Sequence, residues 1–293
     1  MKLQPEDPRV LILAARVAAV DRQFDSSLDY IETAREFAPE YIELRKVHAE
    51  VLAMAGYLQE SINEFEALPE EHKLLANSRL FRGRLALANG NFDKAVEELT
   101  AFQALTPSSM GAGLLAMANW SLGLRQQAID TLETWLVKEP NDAATLEQLA
   151  GRQLQLDAHA DAVKSYKRLA EIQGNNIIAL NNLAWLLRKT STEEALGYIE
   201  KADSLFPQNS QIKDTYAMVE FELGKYDRAL ALNEKALAGA GEYSDAVRLN
   251  RVDILEAVGQ SEEAKSVLRA LSESSNEVIS ANAQERLKAS YGG

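Results

Sequence analysis

The stretch GRLALANGNFDKAVEELTAFQALTP, running from Gly83 to Pro107, decides the fold. A small residue, Gly83, is followed by a turn glycine at Gly90 and a second small residue at Ala95. A helix-breaking proline, Pro107, closes the stretch. Between these markers lie two apolar segments of helical period joined by a short turn. The same frame recurs along the chain. A glycine precedes Ala or Ser by five residues at Gly56–Ser61, Gly90–Ala95, Gly123–Ala128, Gly224–Ala229 and Gly259–Ala264. Ser27, Ala162 and Ala195 fill the remaining places, so the small residues stand at 27, 61, 95, 128, 162, 195, 229 and 264, with every step 33 to 35 residues. Self-similarity at this period is the signature of a stacked repeat architecture.

Two further markers run in phase. Ala15, Ala49, Gly83, Ala116, Ala150, Ala217 and Val252 precede their small residues by twelve positions, and Ala184 precedes Ala195 by eleven. The sixth unit is therefore one residue short in its inner turn. Pro39, Pro107, Pro140 and Pro207 follow by twelve, with Gly174 and Gly241 in the same place elsewhere. These are helix terminators and mark the boundaries between units. A small residue on each helix lets the two axes approach closely. Larger residues fill the space around them, such as Phe92, Leu99 and Phe102 in the third unit and Tyr226, Leu230 and Leu237 in the seventh. One helix pair cannot bury both its faces, so neighbouring pairs stack.

This spacing resembles the tetratricopeptide repeat (TPR), a 34-residue helix–turn–helix unit. The best match runs from Gln211 to Gly241, with Gly224, Tyr226, Ala229 and Ala236 at family positions; the next runs from Asn77 to Pro107. The resemblance covers about residues 8–278 and implies an all-α, right-handed α-solenoid of about eight units. The expected repeats are 8–41, 42–75, 76–108, 109–142, 143–176, 177–209, 210–243 and 245–278, forming a single solenoid domain. Residues 277–289 read as a further, capping helix. Two departures stand out. Pro69 falls in the second-helix region of the second unit, so that helix should be short. Val252 takes a small-residue position, which predicts a looser joint in the last unit. Residues Lys2 to Pro8 look like the tail of a preceding unit, with Pro5 as its boundary proline. That favours a fragment of a longer array over a frayed natural terminus.

Within the family, Asn181-Asn182-Leu183-Ala184-Trp185-Leu186 and Glu194-Ala195-Leu196 are similar to bacterial repeat proteins of PEP-CTERM sorting and exopolysaccharide systems. Those proteins are often envelope lipoproteins, which implies a periplasmic location. The alternative is that Trp185 and the asparagine pair are common repeat variants. Otherwise cytoplasm and periplasm fit equally.

Composition narrows the chemistry. The chain has 293 residues, 46% hydrophobic and 26% charged, as folded globular chains do. Its formal net charge of −13 repels polyanions and argues against nucleic acid as partner. With no cysteine, disulfides, zinc–thiolate sites and a cysteine nucleophile are excluded. The run Val10 to Val20 is interrupted by Arg16 and is too short to span a bilayer, which takes about 20 residues. The residues before it, Pro5 to Pro8, are not the basic start of a signal peptide. His48, His72 and His159 lie in different repeats and do not have metal-ligand spacing. No phosphate-binding glycine loop is visible. No cofactor, metal or catalytic residue is expected.

The resemblance implies that the first helix of each unit lines a concave groove, through its second, fifth, sixth, ninth, twelfth and thirteenth residues. Units one to three place Arg9, Arg16, Lys46, Glu50, Asn77 and Arg84 there. Unit four places Met110, Leu114, Met117 and Trp120, and unit six Asn181, Asn182, Trp185, Arg188 and Lys189. Unit seven contributes Asp214, Met218, Phe221 and Glu222, and unit eight Asn250, Asp253 and Glu256. The groove should be basic at its N-terminal end, apolar in the middle and acidic at the far end. Trp and Arg commonly anchor interfaces, and Met adapts to varied partners. The competing reading packs these side chains between adjacent first helices. Chaperone-tail clamps of the family need a Lys and Asn in one unit; Lys46 matches, but Glu50 replaces the Asn, and Leu80 and Phe81 follow, so that function is not expected.

The resulting expectation is a non-catalytic scaffold binding a protein or peptide segment in its groove, without nucleic acid or membrane insertion. Self-association through solenoid ends stays open. The alternative is a structural component of a bacterial envelope assembly for exopolysaccharide or protein export.

Overall fold

The computed structural model describes residues 7–241 and 244–292. Pro5 and the residues around it, on which the expected preceding unit rests, lie outside the described residues, apart from Asp7 and Pro8. Among the described residues all regular structure is helical. Contacts group the chain into two compact units, Met1–Pro140 and Asn141–Gly293.

The first unit holds α1 (Pro8–Val20), α2 (Phe24–Phe37), α3 (Ile42–Met54), α4 (Leu58–Glu66), α5 (Glu70–Lys73), α6 (Ala76–Ala88), α7 (Phe92–Leu105), α8 (Ser109–Ser121) and α9 (Arg125–Lys138). The second holds α10 (Ala143–Gln155), α11 (His159–Ile172), α12 (Ile177–Leu187), α13 (Thr192–Leu205), α14 (Ser210–Glu222), α15 (Tyr226–Gly239), α16 (Ser244–Ala257), α17 (Ser261–Leu271) and α18 (Glu277–Tyr291). Helices pair as α1 with α2, α3 with α4, α6 with α7, α8 with α9, and so on to α16 with α17. Each pair is one of the eight repeats. The second helix of repeat two is broken at Pro69 into the nine-residue α4 and the single turn α5.

Every small residue of the repeat frame is buried. Ser27, Ser61, Ala95, Ala128, Ala162, Ala195, Ala229 and Ala264 have no exposed surface, and the facing positions from Ala15 to Val252 are buried too. The two serines do more than fit. Ser27 Oγ donates to the Ala15 carbonyl at 2.7 Å, and Ser61 Oγ to the Ala49 carbonyl at 2.6 Å, so each hydroxyl bridges the helix pair at its closest approach. Gly83 shows how tight this contact is: a Cβ there would lie 2.6 Å from Leu99 Cγ. Val252 is fully buried in one cluster with Ala264 and Leu268.

The inner turn of each repeat needs one residue in the left-handed region. Gly56, Gly90, Gly123, Gly224 and Gly259 supply it, with φ between 72° and 90°. In repeats one and five the same place is held by Arg22 at φ 59° and Asp157 at φ 55°. That is why the glycine marker is missing there while the helices are not. Repeat six turns differently: the Thr190 and Ser191 amides both donate to the Leu187 carbonyl, at 3.0 and 2.8 Å.

Ala128→Leu is expected to overpack the α8–α9 contact and cost about 1–3 kcal/mol, read as a lowered urea midpoint. Gly90→Ala should cost about 1 kcal/mol because an L side chain is forced into the left-handed region. Asp157→Gly should gain roughly 0.5–1 kcal/mol for the converse reason, less the added freedom of the unfolded chain. Equal midpoints for Asp157→Gly and wild type would remove backbone strain as the explanation.

Candidate functional site

Four later helices that open a repeat, α8, α10, α12 and α14, begin on side-chain caps that the repeat frame did not anticipate, and α18 makes a fifth. Ser108, Asp142, Asn176 and Asn209 each accept the backbone N–H three residues on, at 2.9–3.1 Å. Asn276 does the same for α18 at 3.2 Å. The caps recur with the repeat, so a Ser/Asp/Asn every 33 or 34 residues was a readable signal. Each fixes where its helix starts and which residues of its first turns face the neighbouring first helices.

In the second unit four first helices and α18 surround a cavity of about 810 Å³. Helix α12 contributes Ile178, Asn181, Asn182 and Trp185; α14 contributes Gln211, Ile212, Asp214 and Thr215; α16 contributes Ala246, Leu249 and Asn250. Leu154 of α10 and Ile279 of α18 complete the lining. The second, fifth and sixth positions of three successive repeats thus converge. Ile178, 44% exposed, is an open apolar wall. Asn182 Nδ2 donates to the Ile178 carbonyl at 2.9 Å, and the buried Asn181 Oδ1 has no hydrogen-bond partner among the described groups.

Asp214 is the charged residue of this lining. Its Oδ2 accepts from Asn250 Nδ2 at 2.8 Å and its Oδ1 from Asn233 Nδ2 at 3.5 Å. Asn233 also donates to the Val247 carbonyl at 3.1 Å. Burial pushes the Asp214 carboxyl up to about 6, against the opposing pull of the two amides.

The other expected site residues divide by environment. Arg188 stacks over the Trp185 ring at 3.6 Å and donates to the Trp185 carbonyl at 2.5 Å; burial lowers its pKa. Met218 is a correction: at 4% exposure it offers no surface. Helix α14 packs against α12, α13, α15 and α16, and every residue from Thr215 to Glu220 is buried. A helix enclosed on several sides has no free ninth position. Phe221 is half-buried with its ring 5.5 Å from Tyr226. The acidic far end is neutralised by α18: Arg286 reaches Asp253 at 2.7 Å and Glu256 at 3.2 Å, and the Tyr291 hydroxyl donates to Glu256 at 3.1 Å.

In the first unit, the expected basic residues are largely ion-paired. Arg9 binds Asp7 at 2.6 Å and holds that carboxyl below its ordinary range by the hydrogen bond. Arg16 binds Glu43 at 2.8 Å, and Lys46 lies 3.9 Å from Glu43. These three line a cavity of about 360 Å³ with Glu50, whose pKa burial raises. Arg84 is exposed and lines a neighbouring cavity of about 540 Å³ with Met54, Leu80 and Phe81. Met110 and Met117 are exposed on α8, and Leu114 packs half-buried against the Ala95–Leu99 cluster. Trp120 lies under the Arg125 guanidinium at 4.3 Å. Among the described residues no group of three or more His, Asp or Glu side chains is placed to hold a metal ion, and no helix is long and apolar enough to cross a membrane.

No family model and no curated protein matches the sequence. Solved structures do. A crystal structure of MamA protein is 18% identical, covering 57% of this chain and 92% of that one, with a TM-score of 0.51. A chain of the APC/C hetero-tetramer Cut9-Hcn1 is 17% identical, covering 94% of this chain and 55% of that one, at 0.55. A thermophilic TPR protein of Thermus thermophilus is 21% identical, covering 61% of this chain and 99% of that one, at 0.50. The fold is therefore that of a TPR-like helical repeat protein.

The raised Asp214 pKa has a sign in stability. The native chain holds this proton more tightly than the unfolded one, whose carboxyl titrates near 3.8. The contribution is full below that value and is lost as pH rises through about 6. Between pH 5 and pH 8 wild type should lose about 1.4 kcal/mol relative to Asp214→Asn in urea unfolding. A difference that does not change with pH would show that burial leaves the carboxyl unshifted.

Proposed function

We propose that this protein is a non-catalytic interaction scaffold that binds a protein segment along the first helices of its second unit. One observation carries the reading: the cavity of about 810 Å³ is built from the same register positions of α12, α14 and α16, in the size range of ligand sites. Its walls are mostly apolar, and its polar groups are chiefly side-chain amides, which can both donate to and accept from a peptide backbone. Trp185 lies at its edge as a large anchor. The fold supports the reading by its kind, since stacked helical repeats present extended binding surfaces. The neighbour Cut9-Hcn1 is itself described as part of a hetero-tetramer.

The test uses the full chain as bait in a lysate, with mass spectrometry as readout. Ile178→Arg combined with Asn182→Ala blocks the cavity from exposed or half-buried positions and should leave the helical circular dichroism unchanged. Partners recovered by wild type and depleted about tenfold or more by the blocked chain are expected. Equal recovery by both would place binding elsewhere and sink the groove reading.

A further inference from the structure

Among the described residues, Asp214 is the one charged side chain lining the second-unit cavity, and both its oxygens face neutral amides, Asn250 at 2.8 Å and Asn233 at 3.5 Å. The cations on its own helix and on the facing helix α16 are committed to other carboxylates. Lys213 is held by Asp203 at 2.6 Å. Arg248 pairs with Asp245 at 3.4 Å. Arg251 pairs with Glu263 at 3.0 Å and Glu234 at 3.7 Å, reaching only the Asn233 amide oxygen at 3.4 Å. From α12, Arg188 is stacked on Trp185, and from α15, Arg228 binds Glu220 at 3.1 Å. A part-buried carboxylate without a cation is costly, and ordinary packing removes it or pairs it. Here two asparagines from different helices hold it in place at the floor of an open groove.

Resting on the binding role proposed above, we infer that the groove selects a peptide segment carrying lysine or arginine, whose cationic head docks on Asp214 beside the Asn250 amide. The surroundings suit such a side chain along its length. Ile178, Leu249 and Ile279 offer apolar wall for the aliphatic stem, while the head reaches the carboxylate. A charge-assisted bond to a fixed carboxylate is among the strong polar contacts. The protein's net charge of −13 draws basic segments to it over longer range. The raised carboxyl pKa accords with this: a docked cation opposes the burial that raises it.

The experiment selects phage-displayed random dodecapeptides on the 293-residue chain at pH 7.5. Peptides whose capture the Ile178→Arg chain abolishes are kept. They are expected to share a Lys or Arg at one position. For a synthetic lead peptide, Asp214→Asn should weaken binding about tenfold or more. Norleucine in place of the lead's lysine (or of lysine substituted for its arginine) should do the same on wild type and add no further loss on Asp214→Asn. The norleucine arm does not depend on how well the variant folds. Groove-dependent peptides without a shared basic residue, indifferent to Asp214→Asn, would overturn the cation inference and leave groove binding standing. Enrichment of a free N-terminal amine in place of the side chain would overturn the lysine/arginine assignment. Failure to recover any peptide sensitive to Ile178→Arg would overturn the groove reading itself.

Discussion

Everything in this molecule depends on the close approach of two helices at one small residue on each. The pairs from Ala15 with Ser27 to Val252 with Ala264 are buried throughout. Because the contact leaves no slack, as Gly83 against Leu99 shows, it fixes both the separation and the rotation of each pair. Rotation is what matters for function. It decides which residues of the first helix face the neighbouring first helices, and so which side chains can be offered to another molecule. Ser27 and Ser61 secure the same geometry with a hydroxyl, trading a little volume for a bond across the pair.

The second unit turns that geometry into an amide-rich, mostly apolar surface with a single charge among its described lining residues. Caps at Asn176 and Asn209 set the starts of α12 and α14, and the fifth and sixth positions then converge on one space. Charged residues nearby are satisfied among themselves: Arg286 answers Asp253 and Glu256, and Lys213 answers Asp203. Against this background of settled charges Asp214 stands apart. The first unit follows a different plan, in which Arg16, Glu43, Lys46 and Glu50 form a mutual network over a smaller cavity.

The repeat was legible because close packing tolerates so few residues at its tightest point. Even the short α4 was legible, since proline cannot continue a helix. The turn marker was less dependable: Arg22 and Asp157 adopt the same left-handed conformation that glycine takes elsewhere. The cavity lining was legible by register where a first helix is open on one side, as at Asn181, Asn182 and Trp185. It failed at Met218, because enclosure of α14 depends on four neighbouring helices and on no local pattern. The far-end acids misled for a similar reason. Asp253 and Glu256 read as a charged surface until α18 brings Arg286 back against them from 33 and 30 residues away.

Within each unit, substantial contacts join only helices adjacent or next-but-one in the chain. Such a molecule has little long-range closure to achieve when it folds, so assembly should be quick and able to begin at several places. The same locality governs how it comes apart. Inside a unit a repeat is held by its immediate neighbours alone, and the second repeat meets the third through the truncated α4 and the single turn α5. Within the first unit, opening should therefore begin at that seam and travel outward, as a zip parts at its missing tooth.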